Sequence, residues 1–220
     1  MSYNIAVDGP AGAGKSTIAK AVAKRMNLIY VDTGSMYRAL ALFIVRQKIA
    51  LDDREKIIEK CGGADVTIRY EDGVQVVYLN GENVNAYLRT EEVGNAASVI
   101  SQIPEVRRKL VELQRKLAAE SDCIMDGRDI GTCVLPHAQK KIYLTASSEV
   151  RAKRRCEELR AKGEACDLKK IQADIEERDY RDMHRETSPL KQAEDAVLVD
   201  TSDMTIEEVV EKLTVLCAKE

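Results

Sequence analysis

The sequence predicts an α/β fold: a five-stranded parallel sheet flanked by helices, with a small antiparallel insert. Three observations carry this. Five short apolar runs are continuous rather than alternating, as suits strands buried on both faces. Most gaps between them show helical spacing of apolar residues. The run Gly9-Pro10-Ala11-Gly12-Ala13-Gly14-Lys15-Ser16 follows the first apolar stretch and leads straight into a helical pattern. At 220 residues the chain can build a full hydrophobic core. Its balance of 34 Lys+Arg against 37 Asp+Glu leaves a net charge of −3, which gives no electrostatic footprint for nucleic acid.

In chain order, Ile5-Ala6-Val7 is the first strand, and Ile18, Val22 and Met26 share one face of the helix that follows. Leu28-Ile29-Tyr30-Val31 is the second strand. A helix starts within Asp32-Thr33-Gly34-Ser35-Met36-Tyr37-Arg38. Residues about 63–88 break the pattern. Val66, Ile68 and Tyr70 alternate with polar residues, Glu71-Asp72-Gly73 is a turn, Val74, Val76 and Tyr78 alternate again, and Asn80-Gly81 is a hairpin signal. This segment reads as an antiparallel sheet inserted into the α/β core.

Pro104 opens a helix with Val106, Leu110, Leu113 and Leu117 on one stripe, because proline is tolerated in the first helical turn. Cys123-Ile124-Met125 and Lys141-Ile142-Tyr143-Leu144 are the third and fourth core strands. Ser147 or Ser148 caps a helix to about Ala161, with Gly163 near its end. Leu168, Ile171 and Ile175 mark another, to about Arg185. Ala196-Val197-Leu198-Val199 is the fifth strand, and Ile206, Val209, Leu213 and Leu216 mark the last helix. Asp8, Asp32, Asp126 and Asp200 directly follow four of the five runs. Ligands of open α/β sheets bind beyond the carboxyl ends of the strands, so these acids fall where a polar site belongs.

Several chemistries are excluded. Cysteines 61, 123, 133, 156, 166 and 217 form no C-x-x-C pair, and His137 and His184 lie far apart, so no zinc constellation exists. Six reduced thiols are expected. With no Trp and one Phe there is no aromatic platform for base stacking. No apolar run of about 18 residues is present, and the N-terminus lacks the regions of a signal peptide, so a cytoplasmic protein without membrane contact is expected.

The glycine-rich run fits G-x-x-x-x-G-K-[ST] in full. Glycines let backbone N–H groups turn inward around phosphate oxygens, Lys15 and the helix N-terminus add positive charge, and Ser16 can reach Mg²⁺. The motif implies a bound nucleoside triphosphate held by residues from Gly9 to Thr17. It does not say where the phosphoryl group goes. Asp126-Gly127-Arg128-Asp129-Ile130-Gly131-Thr132 places two acids, an arginine and two glycines at one strand end, which suits a site better than an ordinary turn. Arg151, Arg154 and Arg155 lie at i, i+3 and i+4 of one helix, and Arg178, Asp182 and Arg185 at i, i+4 and i+7 of another. Charge runs on helices are usually solvated. Beside a phosphate loop, these arginines are candidate phosphate ligands.

Taken together, these motifs resemble the bacterial type of cytidylate kinase, within the nucleoside monophosphate kinases. The match includes the phosphate loop, residues 32–38, Arg89-Thr90, Asn95-Ala96-Ala97-Ser98, Pro104-Glu105-Val106-Arg107, residues 126–132 and Glu177-Arg178-Asp179-Tyr180-Arg181-Asp182. The resemblance implies one kinase domain: a core of about 1–62, 89–146 and 166–220, an insert of about 63–88 in the monophosphate-binding region, and a mobile lid of about 147–165. It implies ATP-dependent phosphorylation of CMP, and of dCMP, with Mg²⁺. Arg38 and Arg128 would hold the acceptor phosphate, with Thr33 and Tyr37 near it. Ser98, Arg107 and Asp129 would line the cytosine pocket. Arg178 and Asp182 would hold the ribose, with Arg185 close by. Lys15 would hold donor phosphates, and Arg151 and Arg155 would be the lid's contribution. Lys15, Arg128 and Arg155 would act at the transferred group, and the enzyme is expected to be a monomer. Kinases of UMP, shikimate or dephospho-coenzyme A share the phosphate loop but not the 126–132 run with the insert. A GTP-hydrolysing switch would need an N-K-x-D motif, which is missing.

Overall fold

A computed structural model describes residues 2–219. The core sheet contains β1 (Asn4–Asp8), β2 (Ile29–Asp32), β6 (Cys123–Gly127), β7 (Lys140–Thr145) and β8 (Val197–Asp200). All pair in parallel, in the order β2-β6-β1-β7-β8. The five strands fall on the five apolar runs, each shifted or extended by a residue or two. Asp8, Asp32 and Asp200 are the last residues of their strands, and Asp126 is the last but one.

Helices cover both faces. On one, α1 (Lys15–Met26) and α8 (Ile206–Leu216) bury Ile18, Val22, Val209 and Leu213 against Ile5, Val7, Ile124 and Leu144. On the other, α2 (Thr33–Arg46), α3 (Arg54–Cys61), α4 (Glu91–Ile100) and α5 (Pro104–Glu120) enclose Met36, Leu40, Ile100 and Leu110 over Val31 and Met125. The helix ends are chemically specified. Asp32 caps α2 through Ser35 N–H, Thr90 caps α4, Ser147 caps α6 (Ser148–Ala161), and Thr205 with Glu208 forms a reciprocal capping box on α8. α7 (Leu168–His184) packs against α6 as a helical hairpin.

The insert is an antiparallel sheet of β3 (Val66–Glu71), β4 (Val74–Leu79) and β5 (Glu82–Asn83). Both tight turns place paired residues at positive φ: Asp72 and Gly73 at 51° and 76°, Asn80 and Gly81 at 49° and 83°. That backbone matches the twist of the flanking strands. The two-residue turn pairs Tyr70 with Gln75, Ile68 with Val77 and Val66 with Leu79. One face therefore carries 66, 68 and 70 together with 75, 77 and 79. Val66, Val77 and Leu79 on that face join the core behind α2, while Val74 stays 63% exposed. The apolar alternation of Val74, Val76 and Tyr78 thus lies on the face of β4 turned away from that core, where Val76 is nonetheless buried. The turn length fixes this, because a step of one residue would flip every side chain.

The expectation of six reduced thiols is corrected. Cys156 on α6 and Cys166 before α7 are joined in a disulfide, with Cα atoms 5.5 Å apart. The chain reverses at Gly163 (φ +77°) and brings two residues distant in sequence within bridging distance. Cys61, Cys123, Cys133 and Cys217 are free.

Candidate active site

The site lies beyond the carboxyl ends of β1, β2 and β6, where the adjacent strands β1 and β6 connect onward in opposite directions, β1 to β2 and β6 to β7. β1 feeds directly into the phosphate loop. Gly9 sits at φ +148°, and a Cβ there would stand 1.9 Å from the carbonyl oxygen of Leu144, so glycine is obligatory for the loop to pass β7. Gly14, at φ +84°, ends the loop as the residue before α1. Lys15 is buried, and its Nζ donates to the carbonyl of Pro10 at 2.6 Å, across the mouth of the loop. Burial and the charge of Arg128 push the Lys15 pKa well below its ordinary value; Asp126, Asp8 and Asp182 oppose that. An ammonium so poorly solvated gains more than an exposed one from an arriving polyphosphate.

Asp126 gathers the other groups at this end. Ser16 Oγ donates to its Oδ2 at 2.8 Å and Tyr30 Oη to its Oδ1 at 2.9 Å. Burial, then the charge of Asp32, raises its pKa. Thr17 is exposed on the first turn of α1. A buried carboxylate beside a hydroxyl at a phosphate-loop helix offers hard oxygen donors, so Ser16 and Asp126 fit a Mg²⁺ ion that takes its remaining ligands from phosphates and water. Among the described residues there is no group of three or more His, Cys, Asp or Glu side chains that could hold a metal by themselves.

The loop after β6 crosses the sheet to form the second half. Gly127 is required by packing: a Cβ would lie 2.6 Å from Ile130 Cδ1 and 2.9 Å from Thr33 Oγ1. Thr33 Oγ1 donates to the Asp126 carbonyl at 2.7 Å, tying the start of α2 to β6. Beyond, Ile130–Val134 forms one π-helical turn. Buried Asp8 holds that turn, its two carboxylate oxygens accepting from the N–H groups of Ile130 and Gly131, each at 2.7 Å. Burial pushes the Asp8 pKa up to about 6 despite those two donors.

The arginines and acids of the second half arrive from four elements. Arg128 Nε donates to Asp182 Oδ2 of α7 at 3.0 Å. Arg107 of α5 is hydrogen-bonded to Asp129, and Arg185, at the end of α7, lies 3.5 Å from the other Asp129 oxygen; all three are buried. Asp129 therefore pairs with Arg107 and Arg185 rather than with its neighbour Arg128. The Arg107 guanidinium sits 5.8 Å from the centroid of the Tyr37 ring. Tyr37 Oη is buried and without a hydrogen-bond partner among the described residues, and burial pushes its pKa up to about 12. Arg178 Nε is likewise buried and without a hydrogen-bond partner among the described residues, and Asp182, one turn on, pairs with Arg128. Arg38 folds over the first turn of α2, its Nη1 2.8 Å from where a Cβ on Gly34 would be. Ser98 is half-buried on α4.

The cations are unevenly compensated. Burial lowers the pKa of Arg178, and the next cause is the charge of Arg128, with Arg38 and Arg181 adding to it. Burial also lowers that of Arg185, followed by the charge of Arg107. Lys15 feels Arg128 in the same way. The charge of Arg128 thus acts on both Lys15 and Arg178, and that of Arg38 on Arg178, an arrangement that anions relieve.

The three arginines of α6 have different environments. Arg151 is buried: its Nη2 lies 2.6 Å from Asp179 Oδ2, its Nε donates to the Ala146 carbonyl at 2.9 Å, and its Nη1 to the Ala11 carbonyl of the phosphate loop at 2.9 Å. Arg154 donates to the Thr201 carbonyl at 2.7 Å. Arg155 is exposed and pairs with Glu158 at 3.0 Å. Sequence reasoning placed Asp8 at a strand end where a polar site belongs but gave it no partner, and it did not single out Tyr30, Gln75 or Asp179, which become visible only through theirs.

A phosphate loop followed by buried and half-buried arginines and acids from α2, α5, α7 and the loop after β6 defines a P-loop phosphotransferase whose second set of cationic groups suits an anionic acceptor. The cytidylate kinase family model matches residues 5–219, and the chain belongs to that family. The cytidylate kinase of Caldicellulosiruptor bescii is 49% identical over 98% of this chain and 96% of its own length. That of Lactobacillus johnsonii is 48% identical over 98% and 94%. Among solved structures, a gluconokinase from Sinorhizobium meliloti shares the fold at a TM-score of 0.52, with 12% identity over 98% of this chain and 91% of that one.

Proposed function

We propose that this site carries out ATP-dependent phosphorylation of CMP to CDP, the reaction of the family to which the chain belongs, with dCMP as a second acceptor. The observation that carries the residue assignment is the charge of Arg128 acting on Lys15 and Arg178, and that of Arg38 on Arg178, between two halves of different chemistry. The half with backbone amides and Lys15 suits the ATP polyphosphate, held by Gly9 to Thr17. The half with Asp129, Arg107 and Arg185, lined by Ser98 and Tyr37, suits a base whose edge both donates and accepts. Arg178, Asp182 and Arg185 stand where a ribose would connect the two, and Thr33 and Arg38 where its phosphate would lie.

No general base is required, because the second pKa of a phosphate monoester is about 6 and its oxygens are largely ionised at neutral pH. What the residues must do is bring two mutually repelling anions into line and stabilise a loose phosphoryl transition state. Arg38 and Arg128 neutralise the acceptor, and Lys15 follows the charge that develops on the transferred group. On binding, Arg128 exchanges part of its contact with Asp182 for phosphate oxygens, which leaves Asp182 free to accept from ribose hydroxyls. Ser16 and Asp126 would hold Mg²⁺, which neutralises phosphate charge when bound. Arg151 fastens α6 to the loop carbonyl and to α7. Arg155, tied only to a solvated Glu158, is free to turn toward the donor phosphates when α6 closes and excludes water.

Substrates of this kind suit a cytoplasmic enzyme. Among the described residues no helix is long and apolar enough to cross a membrane. The test is ADP release measured with CMP, dCMP, UMP or no acceptor. CMP-dependent release that is weak with UMP supports the reading; release indifferent to CMP defeats it.

A further inference from the structure

β2 is the edge strand of the core sheet, so on its outer side no core strand can pair with it. At Asp32, where β2 passes into α2, that side is covered by one side chain of the insert. Gln75 Oε1 accepts from the Asp32 N–H at 2.8 Å, and its Nε2 donates to the Asp32 carbonyl at 3.2 Å and to Ser35 Oγ at 2.7 Å. The amide offers a single residue one acceptor and one donor, as a neighbouring strand would. Its third bond reaches the first turn of α2. There Ser35 N–H also donates to Asp32 Oδ1 at 2.9 Å, and Ser35 Oγ to the Asp32 carbonyl at 2.7 Å.

Gln75 is itself firmly held. Its carbonyl accepts from Asn85 Nδ2 at 3.3 Å, and Asn85 Oδ1 accepts from Val77 N–H at 2.9 Å. Val77 and Leu79, on the same face, are buried in the core. α2 begins at the next residue, Thr33, and carries Tyr37 and Arg38 one turn on. The other hydrogen bond from the insert to β2, Tyr70 Oη to the Tyr30 carbonyl at 3.2 Å, lies two residues back and makes no contact with α2.

We propose that Gln75 is a positioning residue for the acceptor phosphate: through the Asp32 peptide it sets the start of α2, and so the placement of Thr33 and Arg38. This gives the insert a part in the reaction, and it rests on the reading of α2 as the helix that holds the acceptor phosphate. Because the Asp32 N–H loses its partner and the Asp32 carbonyl one of its two in a partly buried place, Gln75→Leu raises KM for CMP by about tenfold. KM for ATP stays within about twofold, because the phosphate loop makes none of these bonds. Tyr70→Phe is the control: it removes an insert-to-core bond of similar kind and leaves both KM values near wild type.

Gln75→Glu supplies a further arm, which also serves if Gln75→Leu does not fold. Ionised, its carboxylate faces the Asp32 carbonyl with no donor; protonated, it again offers a donor and an acceptor. Its KM for CMP, divided by that of wild type at the same pH, therefore falls toward one as pH is lowered from about 7 to about 4.5, into the range where a Glu side chain takes up its proton. An unchanged KM for CMP in Gln75→Leu, an equal rise for CMP and ATP, or a pH-independent ratio in Gln75→Glu overturns the proposal and leaves Gln75 a docking contact. Arg38→Ala tests the underlying reading separately: if it leaves KM for CMP unchanged, α2 does not hold the acceptor, and the proposal falls with that reading.

Discussion

On the assignment proposed above, the two halves of the site are built by opposite means. The donor half is local: residues 9–17 run in one stretch from strand to loop to helix, and its binding groups are backbone amides and one lysine. The acceptor half draws Thr33, Tyr37, Arg38, Ser98, Arg107, Arg128, Asp129, Arg178, Asp182 and Arg185 from α2, α4, α5, the loop after β6, and α7 with the residue that ends it. Its binding groups are side chains, most already engaged with one another. On that assignment the donor half has hydrogen bonds of Lys15 and Ser16 to give up before ligand binds, whereas the acceptor half would exchange buried ion pairs for contacts to the nucleotide. Backbone donors bind any polyphosphate; buried acid–arginine pairs recognise one particular edge.

The largest effect expected from breaking this division is on the donor side. Lys15→Ala lowers kcat by about two to three decades, the loss typical when one preorganised charge at a developing anion is removed. Equilibrium binding of CMP stays near wild type, because the residues of the other half are untouched. Loss of CMP binding together with turnover would show the two halves to be one unit.

On the acceptor side, Asp129→Ala leaves Arg107 and Arg185 buried without their shared carboxylate. Breaking a buried pair in this way costs about 3–5 kcal/mol of stability, which a denaturant titration reads directly. In the folded fraction, kcat/KM for CMP falls by about one to two decades, and the preference for CMP over UMP narrows, because the carboxylate that accepts from the cytosine amino group is gone. A parallel loss for both acceptors would assign Asp129 to scaffolding alone.

Asp8 sharpens the comparison with pH. Its ionised carboxylate accepts both N–H groups of the turn that presents Arg128 and Asp129, and protonation removes one of these acceptances. The folded pKa, about 6, lies above the ordinary 3.8. The folded state therefore binds the proton first, and this group's effect on stability becomes less favourable as pH rises from about 4 to about 6, then levels off. Activity runs the other way: kcat/KM for CMP falls as pH drops through about 6. The phosphate of CMP titrates near the same pH. The measurement is therefore the ratio of wild type to Asp8→Asn, which rises through pH 6 if Asp8 matters and stays flat if only the substrate titrates. The smallest effect concerns the lid. Thiol titration in denaturant finds four reactive cysteines before reduction and six after; six at the outset would show Cys156 and Cys166 to be unjoined.

The strands, most helices and both hairpin turns were legible because each depends on neighbours in sequence. Apolar runs marked buried parallel strands, and Asn80-Gly81 supplied two residues at positive φ. The face of β4 was not legible, since Val74, Val76 and Tyr78 are the more apolar set, yet the two-residue turn aligns Gln75, Val77 and Leu79 with Val66, Ile68 and Tyr70. The short helices α3 and α4 and the π-helical turn were not resolved as elements either. Of the candidate site, the list of arginines and acids was legible, but their pairing was not. Arg178 and Asp182 are one turn apart on a helix, yet Asp182 bonds to Arg128, which is 54 residues away.

The sequence by itself determined the α/β architecture, the phosphate loop and the family, because strand burial, glycine conformations and a contiguous motif are written in adjacent residues. Only the tertiary structure decided which arginine meets which acid, that Asp8 holds the turn after Asp129, that Gln75 completes the edge of β2, and that Cys156 reaches Cys166. These are contacts between side chains brought together by packing, and charge and hydrogen-bonding capacity alone do not choose among several chemically equal partners. Distance and burial make that choice, and both exist only after the chain has folded.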